Sequence, residues 1–491
     1  MKQSESFIAG QKKAPLPEAM QAYAEDGALA FHTPGHKQGL GAHPLLRQLI
    51  TPQGLREEVS LMEELDDLHE PTMCIHQAQQ LAAELYGADA SFFMINGTTG
   101  AIHTMLLGAL SPGDTVLVPR NAHQSILGGI ILAGAHPVYL QPEFHPGLGI
   151  PMGVSVAEVA RKIQEYPETR AVFLVYPTYY GVAADLAAIA DLVHEHDMLL
   201  LVDEAHGAHL RFSNQLPMQA LDAGADLVAQ STHKLLGSLT QTSMLHVRYG
   251  RVNAARIRAA ASLLQSTSPN YLLLASLDIA RLQMAEDGRR LVGRAVKIAQ
   301  SLRQRINTIP GLWCFGEDVV PAPGAAGLDP TKLTVQVRGL GISGVEAENI
   351  LRHEYKIQCE LSDAYNVLFI ISYADTEKEA ERLLAALQAL AEHGNRRSVD
   401  NIQLPAVPVM AMAPREAFFA PGRSLPFDQS AGHICGETIT FYPPGIPVVC
   451  PGEMLTADLL QYIQDMQRRG LRVVGPEDAS LATIQVIEEN R

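Results

Sequence analysis

Two side chains suited to covalent and acid–base chemistry follow apolar runs in the middle of the chain. Asp203 closes the apolar run 198–202, and Lys234 follows 31 residues later. A lysine amine can bond to an aldehyde as a Schiff base, and a carboxylate can keep a pyridine nitrogen protonated. A buried carboxylate is costly without a partner, and a pyridinium offsets this with about 4 kcal/mol of Coulomb energy at an effective dielectric near 20. The pair predicts a site for pyridoxal 5'-phosphate (PLP), and therefore an enzyme.

Each member of the pair also has an ordinary structural interpretation. Most lysines are solvated surface residues, and an aspartate after a strand is often a cap or a turn residue. Lys234 follows the polar cluster 231–233 and lies between two predicted strands, not on a charged helix face. That setting favours the functional interpretation.

A turn rich in glycine and threonine could hold the phosphate of such a cofactor. Asn96-Gly97-Thr98-Thr99-Gly100 lies between a predicted strand and a helix that we expect to start near Gly100. Helix-start amides and two hydroxyls can hold a dianion, although glycine and threonine are also common capping residues. The motif gains weight because Asp203 and Lys234 are predicted at the same strand ends.

Several histidines are candidates for a functional role. His123 could lie flat over a cofactor ring, although an isolated histidine is more often a packed or surface residue. The set His194, His196, His206 and His209 near Asp203 suggests metal binding, but it lacks the HExxH spacing. No metal site is therefore predicted.

The order of apolar runs predicts an α/β fold. Seven runs read as strands, with helical patterns between several of them: Ser91–Ile95, Thr115–Val118, Pro137–Leu140, Ala171–Tyr176, Met198–Val202, Asp226–Ala229 and Thr242–Val247. This alternation indicates a largely parallel sheet, whose ligand site lies beyond the carboxyl ends of its strands.

The remainder of the chain predicts further domains. A long helix is expected over Tyr271–Ile306, and strands over Thr331–Val337 and Asn366–Ser372 indicate a smaller α/β domain. The polar stretch 393–400, followed by prolines, resembles a linker. We predict an N-terminal arm, a large cofactor domain, a small α/β domain and a C-terminal domain, over residues 1–45, 46–306, 307–395 and 396–491.

Composition limits the class of protein. The formal charge of −16 argues against a nucleic-acid partner and favours cationic small molecules, although simple solubility explains it equally well. No apolar signal segment precedes Pro15, and the longest charge-free window, 121–142, is too polar to span a membrane. Five scattered cysteines indicate neither a disulfide framework nor a zinc ribbon. A cytoplasmic protein without export is expected.

Ten motifs in order resemble the fold-type I Orn/Lys/Arg decarboxylases, and most closely short bacterial arginine decarboxylases without an N-terminal wing domain. They are Phe31–Lys37, Leu65–His69, Gly97–Gly100, Pro119–His123, Pro177–Gly181, Asp203–His206, Ser231–Lys234, Ser266–Pro269, Pro414–Phe418 and Tyr442–Pro447. The resemblance implies an aspartate-aminotransferase-like PLP fold of type I, with a mainly parallel large-domain sheet, a smaller α/β domain and a C-terminal α+β domain.

The resemblance also implies roles at the cofactor ring. Lys234 would carry PLP, Asp203 would pair with the pyridine nitrogen, and His123 would stack on the ring. His206 stands where the larger relatives carry tryptophan, so its contact near the ring is a departure from their pattern. His233 or another acid near Lys234 would deliver the proton.

At the phosphate, the resemblance implies a set of residues from two subunits. Those of the same subunit would be Gly97, Thr98, Thr99, Ser231 and His233. Ser266, with Thr267, would reach the phosphate from the neighbouring subunit. A homodimer, or an oligomer built from dimers, would then be needed for full activity.

The implied reaction is decarboxylation of a basic L-amino acid, here arginine to agmatine and CO2, a step of polyamine biosynthesis. Glu437 is the expected acidic partner for the distal cation of the substrate. Lysine, giving cadaverine, and ornithine, giving putrescine, stay open as substrates, because they differ from arginine in features that pocket shape decides. A fold-type I aminotransferase and a PLP-binding homologue without turnover also stay open as functions.

Overall fold

The computed structural model describes residues 10–393, 405–442 and 445–488. The predicted linker over 393–400, apart from His393, and most of the first 15 residues therefore lie outside the described residues. The α-helices of the described residues, labelled in chain order, are α1 Pro15–Asp26, α2 Pro44–Leu49, α3 Pro52–Glu57, α4 Cys74–Tyr86, α5 Gly97–Ala109, α6 Gln124–Ala133, α7 Val156–Glu165, α8 Leu186–Glu195, α9 Thr232–Leu235, α10 Ala254–Leu264, α11 Tyr271–Ile306, α12 Gly344–His353, α13 Glu377–His393, α14 Pro414–Phe419 and α15 Ala457–Arg468. Short 3-10 turns cover Glu63–Leu65, Leu210–Phe212, Arg338–Leu340 and Phe427–Gln429.

The strands, in the same order, are β1 Ala90–Met94, β2 Thr115–Pro119, β3 His136–Leu140, β4 Phe144–His145, β5 Ile150–Pro151, β6 Ala171–Val175, β7 Val182–Ala183, β8 Leu199–Asp203, β9 Leu227–Gln230, β10 Ser243–Val247, β11 Trp313–Cys314, β12 Gly327–Leu328, β13 Lys332–Gln336, β14 Leu361–Ser362, β15 Asn366–Ile370, β16 Gly422–Pro426, β17 Ile439–Tyr442, β18 Ile446–Val449, β19 Arg472–Val474 and β20 Thr483–Ile487.

The central sheet has seven strands in the order β1-β10-β9-β8-β6-β2-β3. These are the seven strands predicted from the apolar runs, so that prediction is confirmed. Strand β10 pairs antiparallel with both β1 and β9, whereas β8 with β9, and β2 with β3 and β6, are parallel pairs. Every residue of β8 and β9 is buried. Strands covered on both faces read as continuous apolar runs, which is why these were visible in the sequence.

Local sequence signals set many helix boundaries. Several helices begin after a polar residue whose side chain accepts a hydrogen bond from a backbone amide of the first turn: Ser155, Asp185, Asn253, Ser343 and Thr456. Helix α11 covers the predicted range Tyr271–Ile306. Within the described residues, no helix is long and apolar enough to cross a membrane.

The chain divides into two compact units. The first unit comprises Met1–Ala109, Leu201–Asn214 and Met218–Val292, and the second comprises Leu110–Leu200, Gln215–Pro217 and Gly293–Arg491. In the first unit, helix α10 lies against α5, where a side chain at Gly108 would come within 2.5 Å of Ile257. The four-domain division predicted from the sequence remains a prediction.

The second unit contains smaller sheets with their own cores. A four-stranded sheet, β11-β13-β15-β14, is antiparallel at each pairing and packs with α12 and α13 around an aliphatic core that includes Leu333, Val367 and Leu387. Toward the C-terminus, the pair β16-β20, the sheet β18-β17-β19 and α15 enclose a core that includes Ile439 and Ile463. The predicted strands over 331–337 and 366–372 correspond to β13 and β15.

Candidate active site

Sheet topology brings three predicted segments of the first unit to one edge. Because β1 and β9 are both antiparallel to β10, and β8 is parallel to β9, the strands β1, β8 and β9 run in the same direction. Asp203 is the last residue of β8, Lys234 follows the end of β9, and the Gly97–Thr99 turn follows β1. Their carboxyl ends lie on the same edge, where α/β sheets bind ligands.

Asp203 is a buried carboxylate that accepts a backbone hydrogen bond. It is 5 % exposed, and its Oδ1 accepts a hydrogen bond of 3.0 Å from the backbone amide of Ala205. Burial raises the pKa of Asp203 to about 6, although the positive charge of Lys234 acts in the opposite direction. A cation next to this carboxyl would favour its ionised form.

Lys234 contacts a buried histidine. Its Nζ donates to Nε2 of His206 over 2.9 Å, and His206 is 3 % exposed. Lys234, predicted between two strands, stands on the single helical turn α9, which is closed by a 2.8 Å bond from the amide of Leu236 to the carbonyl of Thr232. The turn fixes the direction of the lysine and brings it to the residue where the larger relatives were expected to carry tryptophan.

Three hydroxyl groups cluster beside the start of α5. The Thr98 hydroxyl donates to Ser243 Oγ over 3.0 Å, and Ser243 in turn donates to the carbonyl of Gln230 over 2.7 Å. Thr98 is also hydrogen-bonded to Ser231. Because the Thr98 hydrogen is already donated to Ser243, the Ser231 hydroxyl is the donor of that bond. Ser243 was not predicted from the sequence, because only the antiparallel register, which places Ser243 opposite Met94, brings it to this edge.

Helix α5 begins at Gly97, three residues before the expected start. Gly97 has φ +68, a conformation that glycine adopts without steric cost. At Gly100, a Cβ would lie 2.7 Å from that of Asn96, so the turn requires a second glycine there. Thr98 and Thr99 therefore lie in the first helical turn, whose N-terminus favours anions. Thr98 is buried and Thr99 is exposed.

His233 is held in one tautomer by its surroundings. Its Nδ1 lies 2.7 Å from the carbonyl oxygen of Thr242, which can only accept, so Nδ1 carries the hydrogen. Burial lowers the pKa of His233. The neutral imidazole, with Nε2 as its remaining ring nitrogen, is therefore the favoured form at neutral pH.

A buried hydrogen-bond chain in the first unit starts at Glu204, the residue after Asp203. Its carboxyl oxygens accept bonds of 2.6 Å from the amide of Ala220 and from Gln230 Nε2. Gln230 Oε1 lies 3.1 Å from His246 Nε2, and His246 Nδ1 lies 2.7 Å from the Ser91 hydroxyl. Burial raises the pKa of Glu204 to about 8 and lowers that of His246 to about 3. With Glu204 protonated and His246 neutral, this chain of hydrogen bonds joins the ends of β8 and β9 to β10 and β1, next to Asp203.

Ser266 and Thr267 lie in the exposed segment between α10 and α11 of the first unit. The Ser266 hydroxyl oxygen accepts a 3.1 Å bond from the amide of Ser268, which leaves its own hydrogen to donate. Neither residue is among the cluster of Asp203, Lys234 and Thr98 formed by its own chain.

Two predicted site residues belong to the second unit. His123 is half-buried and caps α6, with its Nδ1 accepting from the Ser125 amide over 3.2 Å. The carboxylate of Glu437 accepts from the backbone amides of Glu477 over 2.7 Å and Gln485 over 2.8 Å. Glu437 therefore joins segments of the C-terminal region, and its expected contact with substrate remains a prediction.

Among the residues that the structure describes, no group of three or more His, Cys, Asp or Glu side chains is arranged to hold a metal ion. The histidines near Asp203 instead make other contacts: His206 accepts from Lys234, and His196 lies 2.9 Å from the carbonyl of Leu192.

Comparisons with known proteins match this chain along nearly its whole length. The family model of the Orn/Lys/Arg decarboxylase major domain matches residues 14–379, and that of the Orn/Lys/Arg decarboxylase C-terminal domain matches residues 398–477. An arginine decarboxylase of Halalkalibacterium halodurans is 45% identical over 484 residues, covering 98% of this chain and 99% of that protein. An arginine decarboxylase of Bacillus subtilis is 43% identical over 485 residues, covering 98% and 99%.

The fold has a close counterpart among solved structures. The crystal structure of a lysine decarboxylase of Francisella novicida superposes with a TM-score of 0.85 at 23% identity, covering 98% of this chain and 82% of that chain. This likeness confirms the predicted fold class, and the matched domains confirm the expectation of a decarboxylase enzyme drawn from the motifs. The chain belongs to the Orn/Lys/Arg decarboxylase family.

Proposed function

We propose that this protein decarboxylates L-arginine to agmatine and CO2 with PLP as cofactor, and so supplies an amine for polyamine biosynthesis. The observation that carries the proposal is the buried Asp203 at the end of β8, beside Lys234 at the end of the neighbouring strand β9. Arginine is favoured over lysine because the arginine decarboxylases are 45% and 43% identical, against 23% for the lysine decarboxylase.

The residues of the first unit fit the three functional groups of PLP. The pyridine nitrogen requires a buried carboxylate, which Asp203 offers; the aldehyde requires an amine, which Lys234 offers. The phosphate requires hydroxyl and amide donors, and Thr98 and Ser231 lie together at the start of α5. We assign Gly97, Thr99 and His233 to the same end and His123 to the face of the ring.

PLP, when bound, supplies an electron sink for the electron pair that remains on the α-carbon as CO2 leaves. The protein holds and moves protons around that step. Asp203 would keep a proton at the pyridine nitrogen, and Lys234 would hold the cofactor through its aldehyde and, once released from it, could donate a proton from its ammonium group. His233 could deliver a proton only from Nε2, which would first have to accept one, since the hydrogen on Nδ1 is bonded to the Thr242 carbonyl. One proton is consumed per substrate, because hydrogen replaces the carboxylate at the α-carbon.

We also propose a homodimer in which Ser266 and Thr267 of one subunit reach the phosphate bound by the other. Both residues are exposed in a single chain. Large apolar side chains are exposed on the N-terminal part of the first unit, including Leu29 at 83% and Phe31 at 91%. Exposed apolar surface of this kind indicates an interface.

For the distal cation of the substrate we retain Glu437 as the acidic partner. Its carboxylate oxygens each accept one amide bond, and a carboxylate can accept about four in all. Glu437→Gln is expected to raise KM for arginine while leaving the PLP absorbance intact. An unchanged KM would remove Glu437 from the pocket.

A cytoplasmic location is proposed from the cysteines. All five are free thiols, and four of them are buried. A reducing compartment keeps such thiols free.

The deciding experiment measures CO2 release by the purified PLP-loaded protein offered arginine, lysine and ornithine separately, with identification of each product. Agmatine as the main product is expected, and Lys234→Ala should abolish its formation. Cadaverine or putrescine would keep the reaction and change the substrate. A keto acid product would indicate an aminotransferase, and binding of PLP without CO2 from any substrate would indicate a homologue without turnover.

A further inference from the structure

The segment Leu65–His69, a motif that the proposed function leaves without a role, is rigidly anchored in the first unit. Asp66 has φ +74, and its carboxylate accepts bonds from the amides of Thr72 over 2.8 Å and Met73 over 2.7 Å, just ahead of α4. The Tyr271 hydroxyl donates to the carbonyl of Asp66 over 2.6 Å. A residue at the end of this segment therefore has a fixed position.

His69, at that end, joins α10 to the segment that carries Ser266. Its Nε2 lies 3.0 Å from the carbonyl oxygen of Ser266, and its Nδ1 lies 2.6 Å from the hydroxyl of Ser262. A carbonyl oxygen only accepts, so Nε2 carries hydrogen and donates to it. The neutral ring then accepts from the Ser262 hydroxyl at Nδ1, and one tautomer satisfies both contacts.

The N-terminal start of the same segment is hydrogen-bonded to the end of β1, the strand that precedes the Gly97–Gly100 turn. Gln265 accepts from the amide of Ile95 over 3.1 Å and donates to the carbonyl of Phe93 over 3.3 Å. Asn96 donates to the carbonyl of Leu264 over 2.9 Å. These bonds fix the chain as far as Gln265, whereas the bond from His69 fixes the next residue, Ser266.

We propose that His69 is a positioning residue that sets the backbone of Ser266 so that its hydroxyl points to the phosphate in the partner's site. This rests on the proposed dimer with Ser266 as a phosphate ligand. The Ser266 hydroxyl oxygen accepts a bond from the Ser268 amide, which fixes the position of that oxygen. The direction of the hydroxyl hydrogen therefore depends on the backbone conformation of Ser266. His69 fixes the one backbone oxygen of Ser266 and therefore the orientation of that peptide.

The first test compares binding of PLP with binding of pyridoxal, which lacks the phosphate, by equilibrium dialysis of the full-length protein. Loss of one hydrogen bond of about 1.4 kcal/mol corresponds to about tenfold in Kd. His69→Ala should raise the Kd of PLP about tenfold and leave the Kd of pyridoxal within about twofold. An equal effect on both compounds would overturn the proposal, because it would indicate a general structural defect.

Two conservative variants test the hydrogen bond from His69 Nε2 to the Ser266 carbonyl. His69→Gln places an amide nitrogen near the position of Nε2 and should restore most of the PLP affinity, whereas His69→Asn is too short to reach the Ser266 carbonyl and should not. His76→Ala, at an exposed histidine on α4, is the matched control and should change neither Kd. Equal affinities of the Gln and Asn variants would contradict the assigned bond.

Mixing subunits tests the direction of the effect. In a dimer formed from Lys234→Ala and His69→Ala subunits, one site has an intact lysine and receives the intact Ser266 segment of its partner. After random mixing about half of the dimers are mixed and each has one complete site, so about a quarter of all sites should bind PLP with wild-type affinity, beside the weaker sites of the His69→Ala dimers. Absence of sites with wild-type affinity in the mixture would overturn the proposal that His69 acts on the partner's site.

Ser266→Ala separates failure of this inference from failure of the proposed function. If Ser266→Ala leaves PLP binding unchanged, the assignment of Ser266 to the phosphate fails, and the role of His69 fails with it. If Ser266→Ala weakens PLP binding but His69→Ala does not, only the inference about His69 fails. If the wild type binds PLP but releases no CO2 from arginine, the proposed reaction fails while the binding comparison still tests His69.

Discussion

Replacement of Asp203 by asparagine separates the charge of the buried carboxylate from its shape. In the chain without cofactor, burial raises the pKa of Asp203 from 3.8 to about 6. A difference of ~2 in pKa corresponds to about 3 kcal/mol of free energy, which disfavours the ionised carboxylate in the folded state. Because the pKa of Asp203 is higher in the folded than in the unfolded state, the protonated carboxyl stabilises the folded apoprotein by about 3 kcal/mol below about pH 4. That stabilisation is lost as the pH rises through about 6.

Cofactor binding should reverse this relation. A pyridinium beside the carboxylate gains about 4 kcal/mol at an effective dielectric near 20, which corresponds to about three orders of magnitude in rate if it is lost from the transition state. Asp203→Asn is therefore expected to lower kcat for arginine about 1000-fold. The apoprotein of the variant should lose less stability between pH 4 and pH 7 than the wild-type apoprotein, by about 3 kcal/mol.

The assay combines CO2 release with urea unfolding of the apoprotein at the two pH values. Glu204→Gln is the matched control, because Glu204 is also buried, in the next position, and burial raises its pKa to about 8, so that it is already neutral near pH 7. The control should cost about 1 kcal/mol in stability through altered hydrogen bonds but leave kcat within a few-fold. A kcat of Asp203→Asn within tenfold of wild type would refute the assigned role of the carboxylate.

Three further predictions concern single contacts. Ser243→Ala removes the acceptor of the Thr98 hydroxyl and should raise the Kd of PLP up to about tenfold by equilibrium dialysis, and an unchanged Kd would remove Ser243 from the phosphate end. Arg120→Ala leaves Glu453, which is fully buried and 2.8 Å from the guanidinium, without its partner, so urea unfolding should show a loss of about 3–5 kcal/mol; a loss below about 1 kcal/mol would contradict a buried pair. Phe31→Ser should weaken the proposed dimer, seen as dissociation in sedimentation at concentrations where the wild type stays associated.

The strands and the main site residues were readable from the sequence for a simple reason. Strands buried on both faces appear as uninterrupted apolar runs, and the polar residues at their ends stand out against them. Asp203, Lys234 and the Gly97–Gly100 turn were found in this way, and the structure places them on one sheet edge. Helix starts were less certain: α5 begins at Gly97, because a glycine with positive φ can open the helix earlier than the apolar pattern does.

By itself, the sequence determined the fold class, the seven central strands, the long helix α11 and the identity of the lysine and aspartate, because each depends on local patterns or on motifs. Only the tertiary structure decided which distant residues meet. The antiparallel direction of β10 brings Ser243 to Thr98, the turn after β9 brings Lys234 to His206, and the Leu65–His69 segment brings an imidazole to Ser266. Such meetings depend on strand order and register, which join residues far apart in the chain and leave no periodic signal in the sequence.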